Sequence, residues 1–164
     1  MRKKDITVLL PGSYDPPTVG HLSLIERAAS EYARVHAVAF VNPEKKYTFT
    51  HEERVEMLKR TCAHLPNVTV GYAEGLVIDY AKKHGATLLI KGYRNETDLA
   101  YERRQAEWNL ENGGIETRLL PAEEGLESVS STAARAELSR DAATNSMLTE
   151  GVRQFIAEKK RKKS

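Results

Sequence analysis

The segment 11–21, PGSYDPPTVGH, combines residue types that could hold a phosphate group during its transfer. Its glycines and prolines favour a tight turn, and the helical pattern after it would direct backbone N–H groups and a positive helix-dipole end at an anion. Thr18 and His21 are three positions apart and can share one face of the first helical turn. Ser13 adds a hydroxyl, and His21 could place an N–H against a phosphorus atom undergoing substitution. A lone histidine would favour a plain capped turn, whereas the whole string favours phosphate chemistry.

Two adjacent lysines provide cations in a second segment, 42–49, which reads NPEKKYTF. Lys45 and Lys46 follow a predicted strand, in a loop that starts with Pro43, and could reach into the same crevice. A solvated surface loop is the alternative, and it is the usual environment of paired lysines.

A third segment, 91–102, reads KGYRNETDLAYE and also follows a predicted strand. Gly92 permits the backbone to approach a ligand closely, and Arg94 offers a guanidinium fork to phosphate oxygens. Asp98 and Glu102 have the i, i+4 spacing of one helix face, although the spacing alone fits solvated charges equally well.

The fourth segment, 126–132, reads LESVSST and ends in three consecutive hydroxyl residues. Ser130, Ser131 and Thr132 stand at the predicted start of a helix, where hydroxyls can cap the helix and donate to a phosphate together. An over-supplied helix cap explains the same residues, and the sequence alone leaves the two interpretations even.

The elements that would position these segments alternate between strand and helix patterns. Apolar runs predict strands at 6–10, 36–41, 68–72, 87–90 and 115–120. Helical periodicity predicts helices at 19–32, from a capping box at Thr50 and Glu53, at 76–84 with Gly85 as the stop, at 98–112, and from about positions 131 and 149. Strands separated by helices form βαβ units, so the prediction is an α/β fold with a Rossmann-like, doubly wound, five-stranded parallel sheet and helices on both faces. Such sheets bind ligands at the carboxyl ends of their strands, where all four segments fall.

Length and composition limit the class of protein. A chain of 164 residues fits one domain, assigned here to 1–158, with a basic tail at 159–164. The tail holds five of the 25 Lys and Arg residues, so the rest carries 20 cations against 23 anions, which argues against nucleic acid as a partner. No apolar run is long enough to span a membrane, and the N-terminus indicates a strand and no signal peptide. The single cysteine, Cys62, fits core packing and a cytoplasmic location.

The four segments together resemble one enzyme family. Thr18-Val19-Gly20-His21 is similar to the (H/T)xGH signature of the nucleotidylyltransferase superfamily, and the longer string resembles the PGTFDPxTxGH loop of bacterial phosphopantetheine adenylyltransferases. The other three segments are similar to that family's PxKKxxF, RGLRxxxDFxYE and ISS(S/T)xxR motifs, and similarity continues to Glu158. The family has arginine where this chain has Lys91, which keeps the charge but loses the bidentate fork.

The resemblance implies roles for individual residues. Catalytic roles would fall to His21 at the α-phosphate, Lys45 at the acceptor phosphate and Arg94 at the leaving phosphates. The implied ATP contacts are Ser13, Tyr14, Thr18, His21, Gly92, Tyr93, Arg94, Glu102, Leu126, Glu127, Ser128, Val129, Ser130, Ser131 and Thr132. The implied acceptor contacts are Ser13, Lys45, Val77 and Lys91.

The implied reaction moves AMP from ATP to 4′-phosphopantetheine and gives dephospho-coenzyme A and pyrophosphate. Mg²⁺ is expected to be held mainly by substrate phosphates, with no dedicated protein ligands. The family is typically hexameric, so a homo-oligomer is expected. The alternatives are a sibling enzyme with another acceptor, such as a nicotinate-mononucleotide adenylyltransferase or a cytidylyltransferase, and a catalytically silent nucleotide-binding module. A nucleic-acid-binding role for the tail is a weaker one.

Overall fold

The predicted strands form one parallel sheet in the order β3-β2-β1-β4-β5. The computed structural model describes residues 3–138 and 145–163. Its strands are β1 (Lys4–Gly12), β2 (Tyr32–Val41), β3 (Val68–Glu74), β4 (Ala86–Tyr93) and β5 (Glu116–Pro121). Its helices are α1 (Val19–Glu31), α2 (His51–Thr61), α3 (Val77–Lys83), α4 (Glu96–Gly113), α5 (Ser131–Glu137) and α6 (Glu150–Lys163).

Alternate side chains of β1 enter two different cores, so the sheet is covered on both faces as predicted. Val8 and Leu10 belong to a cluster that includes Ile25 of α1 and Leu58 of α2. Leu9, which points the opposite way in a strand of period two, belongs to a second cluster with the α3 side chains. Helices α1 and α2 therefore cover one face, and α3 covers the other.

Strand ends differ from the sequence prediction where parallel pairing continues beyond the apolar run. The second strand begins at Tyr32, directly after α1, although the prediction started it at position 36. The fourth extends to Tyr93 because Gly92 pairs with Leu120 and Tyr93 with Pro121. Gly92 and Tyr93, expected to follow this strand, therefore lie within its last residues.

The sheet has one position where the strand order reverses. Strand β1 lies between β2, which follows it along the chain, and β4, which is reached only after β3. Connections on the two sides of β1 depart in opposite directions and leave a crevice at the carboxyl ends of β1 and β4. The segments 11–21 and 91–102 meet at that crevice.

A third core lies beneath the C-terminal helix and was not foreseen from the sequence. Phe49, Met57 of α2 and Ala134 of α5 pack with Leu148, Val152 and Ile156. Helix α6 runs through position 159, where Lys159 pairs with Glu53 at 2.7 Å. No helix in the described ranges is long and apolar enough to cross a membrane.

Candidate active site

A cleft of about 660 Å³ opens at the carboxyl ends of β1 and β4, at the reversal of strand order. The predicted site residues that line it come from three of the four sequence segments. They are Ser13, Tyr14, Thr18, His21, Lys91, Gly92, Tyr93, Arg94, Leu126, Val129, Ser130 and Ser131.

Thr18 and His21 make direct contact at the start of α1, as their spacing predicted. The Thr18 backbone N–H donates to His21 Nδ1 at 2.9 Å, and the His21 N–H donates to Thr18 Oγ1 at 3.4 Å. These reciprocal bonds form a capping box in which histidine takes the place usually held by glutamate or glutamine. Because Nδ1 accepts a hydrogen bond, the neutral ring carries its proton on Nε2. The cap therefore fixes the tautomer as well as the helix start.

The surroundings of His21 keep its ring neutral at physiological pH. Burial, and then the positive charge of Lys91, lower the pKa of His21 to about 4 from its ordinary value of 6.5. A neutral ring can still donate through Nε2, so His21 offers an N–H to a phosphate oxygen without exchanging protons near pH 7.

The ring of Tyr14 packs against the ring of His21. Its ring lies 4.7 Å from the His21 ring, centroid to centroid, and its hydroxyl donates to the Leu10 carbonyl at 2.8 Å. Its φ of 50° is unusual for a residue with a side chain, and burial raises the pKa of its hydroxyl. Only 4% of Tyr14 is exposed, so the side chain predicted to contact ATP acts first as a packing surface for the imidazole.

Lys45 lies at the margin of the cleft and reaches toward Ser13. Lys45 Nζ donates to Ser13 Oγ at 3.4 Å. The surrounding Lys45 loop, residues 42–50, is held by the Asp15 carboxylate, which accepts from the backbone N–H of Thr48 at 2.8 Å and of Phe49 at 2.9 Å. The structure therefore brings the second sequence segment to the first through a residue that carries no predicted role.

The two cations of the 91–102 segment each pair with a carboxylate of helix α4. Arg94 Nε lies 3.2 Å from Asp98 Oδ2, and Lys91 Nζ lies 3.6 Å from Glu102 Oε1. Burial raises the pKa of Glu102, and the nearby Lys91 partly opposes that rise. The i, i+4 carboxylates thus orient the cations at the cleft.

The hydroxyl segment 126–132 divides between capping and loop anchoring. Ser130 caps α5 by accepting from the Ala133 N–H at 3.0 Å, and Ser131 donates to the Pro16 carbonyl at 2.7 Å. Thr132 is exposed and accepts from Arg135 at 3.1 Å. The capping interpretation is therefore confirmed for Ser130, which also lines the cleft, whereas its donation to a phosphate stays a prediction. Glu127 and Ser128 are exposed outside the cleft lining.

A second, smaller pocket of about 240 Å³ adjoins the cleft. Ser13 and Lys91 line both pockets, and the predicted residues Val77 and Glu102 line only the second. Two buried oxygens at its wall, Glu102 Oε2 and Thr117 Oγ1, have no hydrogen-bond partner among the described residues. A ligand with polar groups that entered this pocket would satisfy them.

Sequence reasoning gave no site role to the buried residues that hold the segments together. Asp15 and Arg54 are 4% and 1% exposed. Arg54 donates to the Ser13 carbonyl at 2.9 Å, and Arg135 donates to the Asp15 carbonyl at 2.7 Å. In the sequence, Asp15 and Arg54 look like any charged residue in a Pro-rich loop or on a helix. Only their contacts in the folded chain distinguish them from solvated surface charges.

Comparison with known proteins agrees with this geometry. The family model described as cytidylyltransferase-like matches residues 9–137. The chain belongs to this family and is a nucleotidyltransferase. It is 43% identical to the phosphopantetheine adenylyltransferase of Symbiobacterium thermophilum over 116 residues, which cover 70% of this chain and 72% of that protein. The resemblance inferred from the four segments is therefore confirmed.

Proposed function

We propose that this enzyme transfers the adenylyl group of ATP to 4′-phosphopantetheine, giving dephospho-coenzyme A and pyrophosphate in coenzyme A biosynthesis. The observation that carries the proposal is the fixed, neutral His21 in a cleft bordered by Lys45, Lys91 and Arg94. The 43% sequence identity to a protein named for this reaction supports the choice of substrates.

The reaction needs positioning and charge stabilisation more than proton transfer. The second pKa of a phosphate monoester is about 6, so the acceptor is largely dianionic at pH 7 and needs no strong base. One of its oxygens forms a bond to the α-phosphorus of ATP while the bond from that phosphorus to the bridging oxygen breaks, and pyrophosphate leaves with the electron pair. Phosphoryl-type transfers of this kind depend on alignment and electrostatics.

Each cleft residue then has a role that its contacts support. His21 Nε2–H donates to an α-phosphate oxygen, where negative charge grows in the transition state. Lys45 holds the acceptor phosphate from the Ser13 side of the cleft, and Lys91 faces the same acceptor from β4. Arg94, with the Ser130–Thr132 turn, holds the phosphates that leave.

Mg²⁺ is proposed as the metal, bound chiefly through substrate phosphates. Within residues 3–138 and 145–163 no group of three His, Cys, Asp or Glu side chains could hold a metal ion. Mg²⁺ usually keeps several waters and binds largely through substrate phosphates, so it would arrive with the nucleotide. When bound, Mg²⁺ would offset charge on the triphosphate, and EDTA should therefore abolish turnover that added Mg²⁺ restores.

A pyrophosphate-release assay tests the function. ATP and CTP are each offered with 4′-phosphopantetheine, nicotinate mononucleotide and other phosphorylated acceptors. Release with ATP and 4′-phosphopantetheine alone supports the proposal, whereas release only with another pair overturns it.

Lys45→Met should chiefly raise the acceptor KM, with Lys46→Met as the matched control, and loss of ATP binding alone would contradict the role of Lys45.

A homohexamer in the cytoplasm completes the proposal. Large apolar side chains are exposed on the single chain, among them Leu76, Tyr101 and Trp108, and self-association would cover them. Sedimentation equilibrium would give the mass of six chains, and a monomer at micromolar concentration would contradict it.

Cys62 is buried and unpaired, which suits a reducing compartment. Neither nucleic acid nor a membrane is among the proposed partners.

A further inference from the structure

Tyr47 contacts the two cations, Lys45 and Arg54, that donate hydrogen bonds to Ser13. Its ring centroid lies 3.9 Å from the guanidinium carbon of Arg54 and 5.4 Å from Lys45 Nζ. Its hydroxyl accepts from the Asn42 N–H at 2.9 Å, which closes the Lys45 loop on itself. The distances from the ring to Arg54 and to Lys45 both fall within the range of an attractive cation–π interaction.

Arg54 is a buried charge that depends on this ring. Only 1% of Arg54 is exposed, and no carboxylate pairs with it in the described parts of the chain. Nη1 donates to the Ser13 carbonyl at 2.9 Å, whereas Nε is buried without a hydrogen-bond partner among the described residues. Because a buried charge is costly unless compensated, the face of Tyr47 stabilises the guanidinium where no carboxylate does.

The Lys45 side chain has few other contacts to fix its position. The Asp15 carboxylate holds the backbone at the end of the Lys45 loop, but within the described residues the Lys45 ammonium itself contacts only the Ser13 hydroxyl and the Tyr47 ring. Immobilising a free lysine side chain costs conformational entropy. A ring that restricts Lys45 before the acceptor arrives removes part of that cost from binding.

We propose that Tyr47 is a positioning residue for the acceptor phosphate: its ring, seated on the buried Arg54, holds the Lys45 ammonium beside Ser13. The proposal rests on the proposed function, because Lys45 is the cation that receives the acceptor. Tyr47 itself touches neither reacting group. Its contribution is specific to the acceptor, since neither Tyr47 nor Arg54 lines the nucleotide cleft.

Steady-state kinetics of Tyr47→Leu, Tyr47→Phe and the matched surface variant Tyr72→Leu test the proposal. Loss of the ring in Tyr47→Leu should raise the acceptor KM by about 3- to 30-fold, the equivalent of a cation–π interaction, while the ATP KM stays near that of the unaltered enzyme. Tyr47→Phe keeps the ring and should recover most of the loss. An unchanged acceptor KM in Tyr47→Leu, or an equal rise in both KM values, would overturn the proposal.

A second measurement needs no turnover and separates this inference from the proposed function. Reductive ¹³C-dimethylation keeps the charge of each lysine and gives it an NMR signal. The Lys45 signal, assigned from its absence in Lys45→Arg, should be displaced by the Tyr47 ring current. The displacement should persist in Tyr47→Phe, vanish in Tyr47→Leu and remain in Tyr72→Leu. If the Lys45 signal does not change in Tyr47→Leu, the inference is overturned even when the enzyme is active. If the signals change as expected but the enzyme is inactive with ATP and 4′-phosphopantetheine, the proposed function alone is refuted.

Discussion

His21 acquires its chemistry from a backbone hydrogen bond. The Thr18 N–H occupies Nδ1 and leaves the proton on Nε2, and burial beside Lys91 keeps the ring neutral. A donor fixed before the substrate arrives costs no reorganisation when charge develops on the phosphate. The same residue also completes the cap of α1, so its structural and catalytic contributions have to be separated by measurement.

Replacing His21 by alanine should lower kcat by at least about 10²–10³-fold, the usual scale for removal of one such donor. The ATP KM should change far less, because the donor acts mainly on charge formed in the transition state. Steady-state rates with both substrates saturating measure the effect. The control is His84→Ala, which removes an exposed histidine outside the cleft and should leave kcat unaltered. Near-normal turnover in His21→Ala would refute the role.

The lowered pKa of His21 also predicts a pH dependence of stability. Its pKa is about 4 in the folded protein and close to 6.5 in the unfolded chain. Between these values the unfolded state binds the extra proton, so His21 stabilises the fold above pH 6.5 and loses that contribution as the pH falls toward 4. The difference in free energy of unfolding between the unaltered protein and His21→Gln should therefore shrink from pH 7 to pH 4.5 in urea titrations. A constant difference would contradict the shifted pKa.

Single residues were predictable where spacing along the chain determines contact. Thr18 and His21 are neighbours in one helical turn, so the sequence was sufficient to bring them together. Arg54 and Ser13 lie 41 positions apart and meet only because α2 packs beside the carboxyl end of β1. No local pattern marks such a pair, since an arginine on a helix is most often solvated.

At the scale of elements, Asp15 joins its own turn to the Lys45 loop and to helix α5. Its carboxylate holds the Lys45 loop, and its backbone carbonyl accepts from Arg135 of α5. Ser131 reinforces the same junction by donating to the adjacent Pro16 carbonyl. The acceptor-binding and phosphate-binding segments are thus fixed to each other through the turn that follows β1.

Asp15→Asn should lower the free energy of unfolding by about 1.5–3 kcal/mol, the worth of a hydrogen bond to a charged group. The amide keeps one acceptor oxygen but turns its NH₂ group toward the second backbone N–H. Urea unfolding measures the loss, and the acceptor KM should rise with it because the Lys45 loop is released. Asp5→Asn is the control, since Asp5 is largely exposed and its partner in the described part of the chain is a half-exposed arginine. Equal stability of the two variants would contradict the role of Asp15.

Element order was predictable from the sequence, and element ends less so. The capping box at Thr50 and Glu53 starts α2 as predicted, and Gly85 follows α3 with a φ of 70°. Strand ends depend on partners distant in sequence: β4 continues through Gly92 and Tyr93 because β5 pairs with both. A run of hydrophobic residues indicates which part of a strand is buried. Backbone pairing between strands also extends over residues outside that run, so the run alone does not predict where the strand ends.

At the scale of the molecule, helix α6 supports the site from outside the cleft. Its apolar face packs with Phe49 at the end of the Lys45 loop and with Ala134 of α5, so one core lies beneath two of the segments that border the cleft. Lys159 adds an ion pair to Glu53 and lies 5.0 Å from the Phe49 ring. The basic tail predicted from charge alone thus begins inside α6, and its first residue, Lys159, has a specific partner.

Ile156→Ala tests whether this C-terminal core is coupled to the Lys45 loop. Ile156 is 4% exposed, and its truncation should cost about 2–5 kcal/mol of stability through lost burial and a residual cavity. Native-state hydrogen exchange should show faster opening at the Phe49 amide, because the core that contains its ring loses a member while its N–H still donates to Asp15. Amides in the middle of β1 should change only through the global loss of stability. Leu110→Ala, at a side chain 51% exposed on α4, should change neither quantity by much. If Ile156→Ala lowers global stability while the Phe49 amide keeps the exchange rate of the central strands, α6 stabilises the fold without holding the loop.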